Sequence, residues 1–277
     1  MTEQQAQTSP GGFVDVHTHL IHPKFEGEED AAAQRAAAAG VEMVIVNGLE
    51  PVSNRRTLEL CAKHPNLQPA LGIYPVDACC NFIDPQTWPH PFDSPARFDV
   101  DAEVDFIESV ADQIIAVGEC GLDGYWIKDG AALGEQERVL RRLCEVAIKH
   151  DLPVILHTRK AERRTFEIIV EMGVKKADFH CWGGKSKLAV KIAQQGYSFS
   201  IPPVVERSQA FQSLARKLPL ECILTETDAP YMGPDQGQRN EPAYIPRGVA
   251  AIAKARGEDP AAVAVAIRDN FKRLFGC

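Results

Sequence analysis

Eight short apolar runs recur along the 277 residues, with longer stretches of helical pattern between them. The runs are GFVDVH (12–17), VEMVIVN (41–47), LQPALGIY (67–74), IIAVGEC (114–120), LPVILHT (152–158), KADFHC (176–181), GYSFSI (196–201) and ECILTETD (221–228). Each is rich in Val, Ile, Leu or Phe. Near-continuous apolar strands of this kind are buried on both faces, as in a parallel sheet. Amphipathic segments such as DAAAQRAAAAG (30–40), SNRRTLELCAKH (53–64) and ALGEQERVLRRLCEVAIKH (132–150) lie between them. In the last of these, Glu135 and Glu137 come early and Lys149 and His150 late, the polarity that suits a helix dipole. DPAAVAVAIRDNFKRLF (259–275) adds a final helix with Pro260 near its start.

Strands alternating with helices predict βαβ units, and eight is the number that closes a (β/α)8 TIM barrel. A doubly wound open sheet is the alternative, although six strands are more usual there. No linker or composition break divides the chain. The reading is therefore a single α/β domain over 13–277, preceded by a disordered polar tail at 1–12. The one long irregular stretch is 75–99, with five prolines (Pro75, Pro85, Pro89, Pro91, Pro95). Long loops inside a compact domain are usually functional, and this one would rise from the barrel rim that carries active sites.

Composition narrows the function. A formal net charge of -8 argues against a broad basic nucleic-acid footprint. It leaves room for a nucleic acid handled locally by a metal. The opening MTEQQAQTSPGG has no apolar core of a signal peptide, and no apolar stretch reaches the length of a membrane span. None of the eight cysteines forms a C-x-x-C pair. A cytoplasmic protein with reduced thiols is expected, with no membrane association and no stable protein partner evident. Adjacent Cys79 and Cys80 invite a zinc or redox reading, but neighbours seldom chelate one ion, and free thiols in apolar runs behave as small hydrophobes.

Metal-capable side chains stand at the C-terminal ends of five runs: His17 and His19, Glu119, His157, His180 and Asp228. In a closed barrel those ends converge on one mouth. Residues two apart on a strand share a face, so His17 and His19 can grip one ion, although His-x-His alone is weak and a lone strand histidine is more often a satisfied core group. A carboxylate ending an apolar strand must be paired or metal-bound, which applies to Glu119 and again to Asp228. The joint occurrence carries the argument. Four histidines and two carboxylates exceed one tetrahedral ion and suit two, with Glu119 bridging. Zn, Mn, Fe or Ni fit such donors, Mg less naturally. Two ions can clamp a displacement at phosphorus and generate hydroxide at neutral pH, so metal-assisted hydrolysis is implied.

The sequence resembles the TatD family of metal-dependent hydrolases, in the amidohydrolase-like superfamily. The motifs are DVHTHL (15–20), GECGLDGY (118–125), PVILHTR (153–159), HCWGG (180–184) and TETDAPY (225–231), with RNEPAY (239–244) and DNFKRLF (269–275) behind them. They run in order from about residue 13 to the end. The resemblance implies His17, His19, Glu119, His157, His180 and Asp228 as ligands of a binuclear centre. It implies Glu119 and Asp228 as the catalytic carboxylates, the latter also a general base. It further implies a deoxyribonuclease of 3′–5′ exonuclease type acting on DNA or another phosphate ester. The same ions would serve an ester or amide hydrolase, such as a D-aminoacyl-tRNA deacylase, and a non-catalytic metal-binding barrel is a third reading. One departure stands out: where the family commonly has Gly-x-His-Pro, this chain has Gly72-Ile73-Tyr74-Pro75. The following loop also looks longer than usual.

Around that centre, Arg159 is a candidate phosphate fork and Tyr74 a candidate substrate contact. Glu226 and Asp15 are candidates to orient the ligands. Each has a plainer reading, as a rim ion pair, a loop anchor or a structural acid. Trp126 and Trp182 could stack on a base or simply anchor loops.

Overall fold

The computed structural model describes residues 12–276. The tail expected at 1–12 lies outside the described residues except for Gly12, as does Cys277. The strands are β1 (Phe13–Thr18), β2 (Val41–Asn47), β3 (Leu67–Leu71), β4 (Ala116–Gly121), β5 (Val154–His157), β6 (Ala177–Phe179), β7 (Ser198–Ile201) and β8 (Ile223–Thr225). All are parallel and pair in sequence order. This is the (β/α)8 barrel, not the open sheet. The seam is closed locally. Asp228 N–H donates to His17 O at 2.8 Å, Thr227 N–H donates to the same oxygen at 3.2 Å, and Thr18 bridges Ala229.

The helices are α1 (Glu29–Ala38), α2 (Pro51–Cys61), α3 (Pro75–Ala78), α4 (Val100–Ser109), α5 (Gly130–Lys149), α6 (Glu162–Met172), α7 (Ser186–Ala193), α8 (Gln209–Lys217), α9 (Ile245–Arg256) and α10 (Pro260–Phe275). Local chemistry sets several starts. Asp99, Asp129 and Asp259 accept the backbone N–H of Ala102, Ala132 and Ala262, caps worth about 1 kcal/mol each. Pro51 and Pro260 sit in first turns, where a missing N–H costs nothing. On α5, Val139, Leu140, Leu143, Val146 and Ala147 face the core. Arg138, Arg141 and Arg142 pair outward with Glu135, Asp101 and Glu171, exposed pairs that contribute little individually. The sequence reading has no counterpart for α4. The irregular stretch before it holds only α3 and two single 3-10 turns, Cys80–Phe82 and Pro85–Thr87.

Two glycines let neighbouring strands approach where the functional rim begins. A Cβ on Gly72 would lie 2.5 Å from Glu119 O, and one on Gly121 would lie 2.0 Å from His157 O. Gly121 also has φ 143°, a conformation that side chains resist. Asn54 of α2 fixes the Gly72 turn, its Nδ2 donating to Gly72 O at 2.9 Å and to the buried Glu103 at 2.7 Å. Without side chains at these glycines, the end of β3 lies against the Glu119 backbone and β4 lies against the His157 backbone. Gly121→Ala is expected to lower stability by about 1–3 kcal/mol or more through overpacking. Urea unfolding measures it, and an unchanged midpoint would show that β4 and β5 can separate freely.

Candidate metal centre

The six donors read from strand ends come together at one mouth. Three overlapping groups have ligand atoms within 4.8 Å of one another: His17, His19 and Glu119; Glu119, His157 and His180; His17, His180 and Asp228. Glu119 divides its carboxylate. Oε2 faces His17 Nε2 at 3.4 Å and His19 Nε2 at 3.3 Å. Oε1 faces His157 Nδ1 at 2.8 Å and His180 Nε2 at 3.1 Å. Asp228 Oδ1 closes the first pair, 3.7 Å from His19 Nε2 and 3.9 Å from His17 Nε2.

The backbone earns this convergence in uneven ways. His17 lies on β1, but His19 lies beyond its end, after a register irregularity between Asp15 and Thr18. The pair still meets, Nε2 to Nε2 at 3.1 Å, with its rings edge to face. Asp228 follows β8 by three residues at φ 52°. This left-handed turn, tolerated by Asp better than by most residues, swings the carboxylate over the mouth. His180 likewise follows β6, and its ring stacks on His17 at 4.0 Å.

Two stacked imidazoles cannot both carry charge cheaply, and their proton affinities separate. Burial and the neighbouring charge of His180 hold His17 well below the usual histidine range. Burial opposes charge on His180, but the Glu119 carboxylate and then Glu226 raise it well above. Burial also opposes charge on His19 and His157; Glu119 outweighs it at His19, and Asp123 with Glu119 at His157, so both are raised. Glu119 resists its burial through His180 and the hydrogen bonds of His157 and His17, and stays ionised well below the carboxylate range. Burial pushes Asp228 up to about 6 against the pull of His180 and His19. By its own side chains the cluster borrows positive charge from protons on imidazoles. A divalent cation would supply that charge instead, and mixed imidazole and carboxylate donors are the chemistry that holds one. The buried Nδ1 of His17 has no hydrogen-bond partner, and that of His180 has only Glu226, at 3.5 Å.

A ring of supports lies outside the donors. Glu226 Oε2 is 3.5 Å from His180 Nδ1, and its Oε1 accepts Cys181 N–H at 2.7 Å, the placement read from sequence. Asp15 supports backbone more than imidazole, accepting N–H from His17 at 3.2 Å and Thr227 at 2.8 Å and the Thr227 hydroxyl at 2.6 Å. Asp123 was missed. Its Oδ2 lies 2.9 Å from His157 Nε2, and its Oδ1 accepts N–H from Tyr125 and Trp126 at 2.7 Å each. The available signal was a carboxylate three residues past the fourth apolar run. Ser200 Oγ lies 2.6 Å from Asp178 Oδ2 and 2.7 Å from Glu226 Oε2. A hydroxyl has one hydrogen, so one of these contacts takes its proton from a carboxyl. Burial and then the neighbouring Glu226 carboxylate raise Asp178 to about 7.

The outer candidates divide. The Arg159 guanidinium lies 3.7 Å over the Tyr125 ring and pairs with no acid among the described residues. Tyr74 packs edge-on to His157 at 5.0 Å, its hydroxyl donating to Asp123 at 3.4 Å under the long loop. Trp126 is half-buried at the rim. Trp182 is not a stacking surface: it is 4% exposed and packs edge to face on Phe179 and Phe199 in the core. Cys79 and Cys80 are both buried thiols. Cys79 Sγ meets the Pro75 and Val76 carbonyls and Gln136, with no second ligand. Among the described residues no helix is long and apolar enough to cross a membrane.

Comparison with known proteins finds relatives along nearly the whole chain. The family described as "TatD related DNase" matches residues 14–276. The chain is 32% identical to human "Deoxyribonuclease TATDN3", covering 95% of this chain and 94% of that protein. It is 30% identical to the "3'-5' ssDNA/RNA exonuclease TatD" of Escherichia fergusonii, covering 95% and 98%. The crystal structure of the TatD homologue YjjV from Escherichia coli K12 superposes with a TM-score of 0.80 at 29% identity, over 96% of this chain and 98% of that one.

Metal binding must displace protons from His180, His157 and His19, all raised above the ordinary histidine value. Affinity for Zn or Mn should therefore rise as pH rises from about 6 to 8. Calorimetry in two buffers of different ionisation heat measures the protons released; an affinity flat with pH and no release would contradict the charge assignment.

Proposed function

The chain belongs to the TatD related DNase family, and from there we propose that it is a binuclear divalent-metal hydrolase cleaving phosphodiester bonds, with single-stranded DNA ends as substrate and 3′–5′ exonuclease action. One observation carries the reading: the two oxygens of Glu119 face separate histidine pairs. His17, His19, Glu119 and Asp228 would hold one ion, and Glu119, His157 and His180 the other. Zn, Mn, Fe or Ni suit these donors better than Mg. When bound, the ions supply Lewis acidity toward the phosphoryl oxygens and lower the pKa of water.

The chain's own residues do the rest. Asp228 is the only carboxylate of the six donors that is partly exposed, and burial places its proton affinity near neutrality, at about 6. It is the base that takes a proton from the attacking water at Oδ. Glu226 and Asp123 fix the ring orientations of His180 and His157, keeping the donor atoms aimed inward. Arg159, unpaired and two residues past His157, is the side chain available to fork onto a phosphate. Tyr74 shapes the same wall through Asp123. The described cysteines are all free thiols, which supports the cytoplasmic setting of this reading.

Metal-loaded protein should hydrolyse bis(p-nitrophenyl) phosphate and shorten single-stranded DNA from its 3′ end, and a chelator should abolish both. Hydrolysis of carboxyl esters with no phosphodiester turnover would transfer the same centre to ester chemistry. Asp228→Asn should keep the fold and lose about 10²- to 10⁴-fold in kcat, the range of positioned acid–base catalysis; near-full turnover would remove it from the reaction. Glu119→Ala should lower bound metal from two ions per chain, counted by mass spectrometry, and two ions held tightly would refute its shared role.

A further inference from the structure

Beside the centre stands a run of rings that the proposed hydrolysis does not use. It starts at Arg159, whose guanidinium lies 3.7 Å from the Tyr125 ring centroid and 5.0 Å from that of Trp126. Tyr125 and Trp126 meet edge to face at 4.6 Å. Trp126 meets His90 at 4.7 Å and Phe92 at 5.0 Å, and His90 and Phe92 are nearly parallel at 5.6 Å. Trp88 ends the run, 4.4 Å from His90 and 5.5 Å from Phe92. Two hydrogen bonds lock it: His90 Nε2 donates to Trp126 O at 2.8 Å, and Trp88 Nε1 donates to Phe92 O at 2.8 Å. Asp123 ties it to the centre, since its Oδ1 holds the Tyr125 and Trp126 amides while its Oδ2 holds His157.

Val76, Cys79, Ile83, Ile127 and Ala132 form a buried cluster beneath the loop, and of the strip's rings Trp88 and Trp126 pack against it while Tyr125 and Phe92 do not. Tyr125 is 40% and Phe92 42% exposed. Arg159, itself exposed, lies on Tyr125 and joins the rings to the phosphate position proposed for it. Aromatic faces and guanidinium planes in a row are what unpaired bases stack on.

We propose that this strip is a base-stacking subsite that holds the unpaired nucleotides of a single-stranded nucleic acid leading to the phosphate at the metal centre. The proposal rests on the phosphodiesterase reading and deepens it. Charge selects the occupant. A protein of net charge -8 is a poor host for duplex held by many phosphate contacts, and of the six side chains in the strip only Arg159 carries a fixed charge. Stacking needs no such contacts, and the bases of a duplex are hidden from it. Substrate preference is then built into the loop at 75–99 and the turn after β4, apart from the metal donors.

The test uses metal-loaded protein and two cleavage-resistant phosphorothioate oligonucleotides of about eight nucleotides, one of deoxyadenosine and one abasic along its length, compared by fluorescence anisotropy. The two carry equal charge, so only bases differ. The base-bearing strand should bind at least about tenfold tighter. Phe92→Ala and Tyr125→Ala should each remove most of that difference, while Phe92→Tyr, which keeps a ring, retains it. Equal binding of the two strands, or a difference unchanged in both alanine variants, overturns the proposal. So does a Phe92→Tyr variant as weak as Phe92→Ala, which would assign the loop a shape role. Hydrolysis of bis(p-nitrophenyl) phosphate, followed in parallel, has no bases to stack. Its absence fails the phosphodiesterase reading alone, and its presence without base discrimination fails the subsite alone.

Discussion

Everything at this rim depends on keeping one charged carboxylate, Glu119, inside a barrel where a bare charge could not survive. Its environment resolves the cost by surrounding each oxygen with a different pair of imidazoles. The strands bring these groups from positions more than a hundred and fifty residues apart in sequence, and the close approaches at Gly72 and Gly121 are what make the distances short enough. The apolar barrel walls then work in favour of the polar centre. They exclude water and so strengthen every interaction among the donors.

A second layer of acids holds the first in register. Glu226 stands behind His180, Asp123 behind His157, and Asp15 ties the β1 end to the residues leading to Asp228. Each is buried and would be costly alone, and each is satisfied by backbone N–H groups as well as by side chains. The arrangement spends folding stability on fixing angles. The left-handed turn at Asp228 is a further such cost, of order 1–3 kcal/mol for a residue in this region. That cost lets a residue past the strand reach back across the mouth.

The barrel and its donors were legible because both follow from simple periodicities. Eight buried strands need eight apolar runs, and acids or histidines ending such runs have nowhere inexpensive to go. What escaped was governed by irregular backbone. β8 ends at Thr225, and beyond it the side chains of Glu226 and Asp228 diverge, one to Cys181 N–H and one to the mouth. Trp182 follows a strand as Trp126 does, yet turns inward onto Phe179 and Phe199; nothing in its neighbours HCWGG encodes that direction. Asp123 lies four residues past Glu119, beyond the end of β4 at Gly121, where no strand period marks it. The α4 helix was lost behind a proline-rich approach whose turns gave no period.

The contact between Asp178, Ser200 and Glu226 has a consequence of its own. With one hydroxyl hydrogen between two carboxyls, both contacts are satisfied only when one of the acids keeps a proton, so the pair behind His180 carries one negative charge rather than two. A single serine, far from any reacting atom, thereby limits the charge that stands behind the donors.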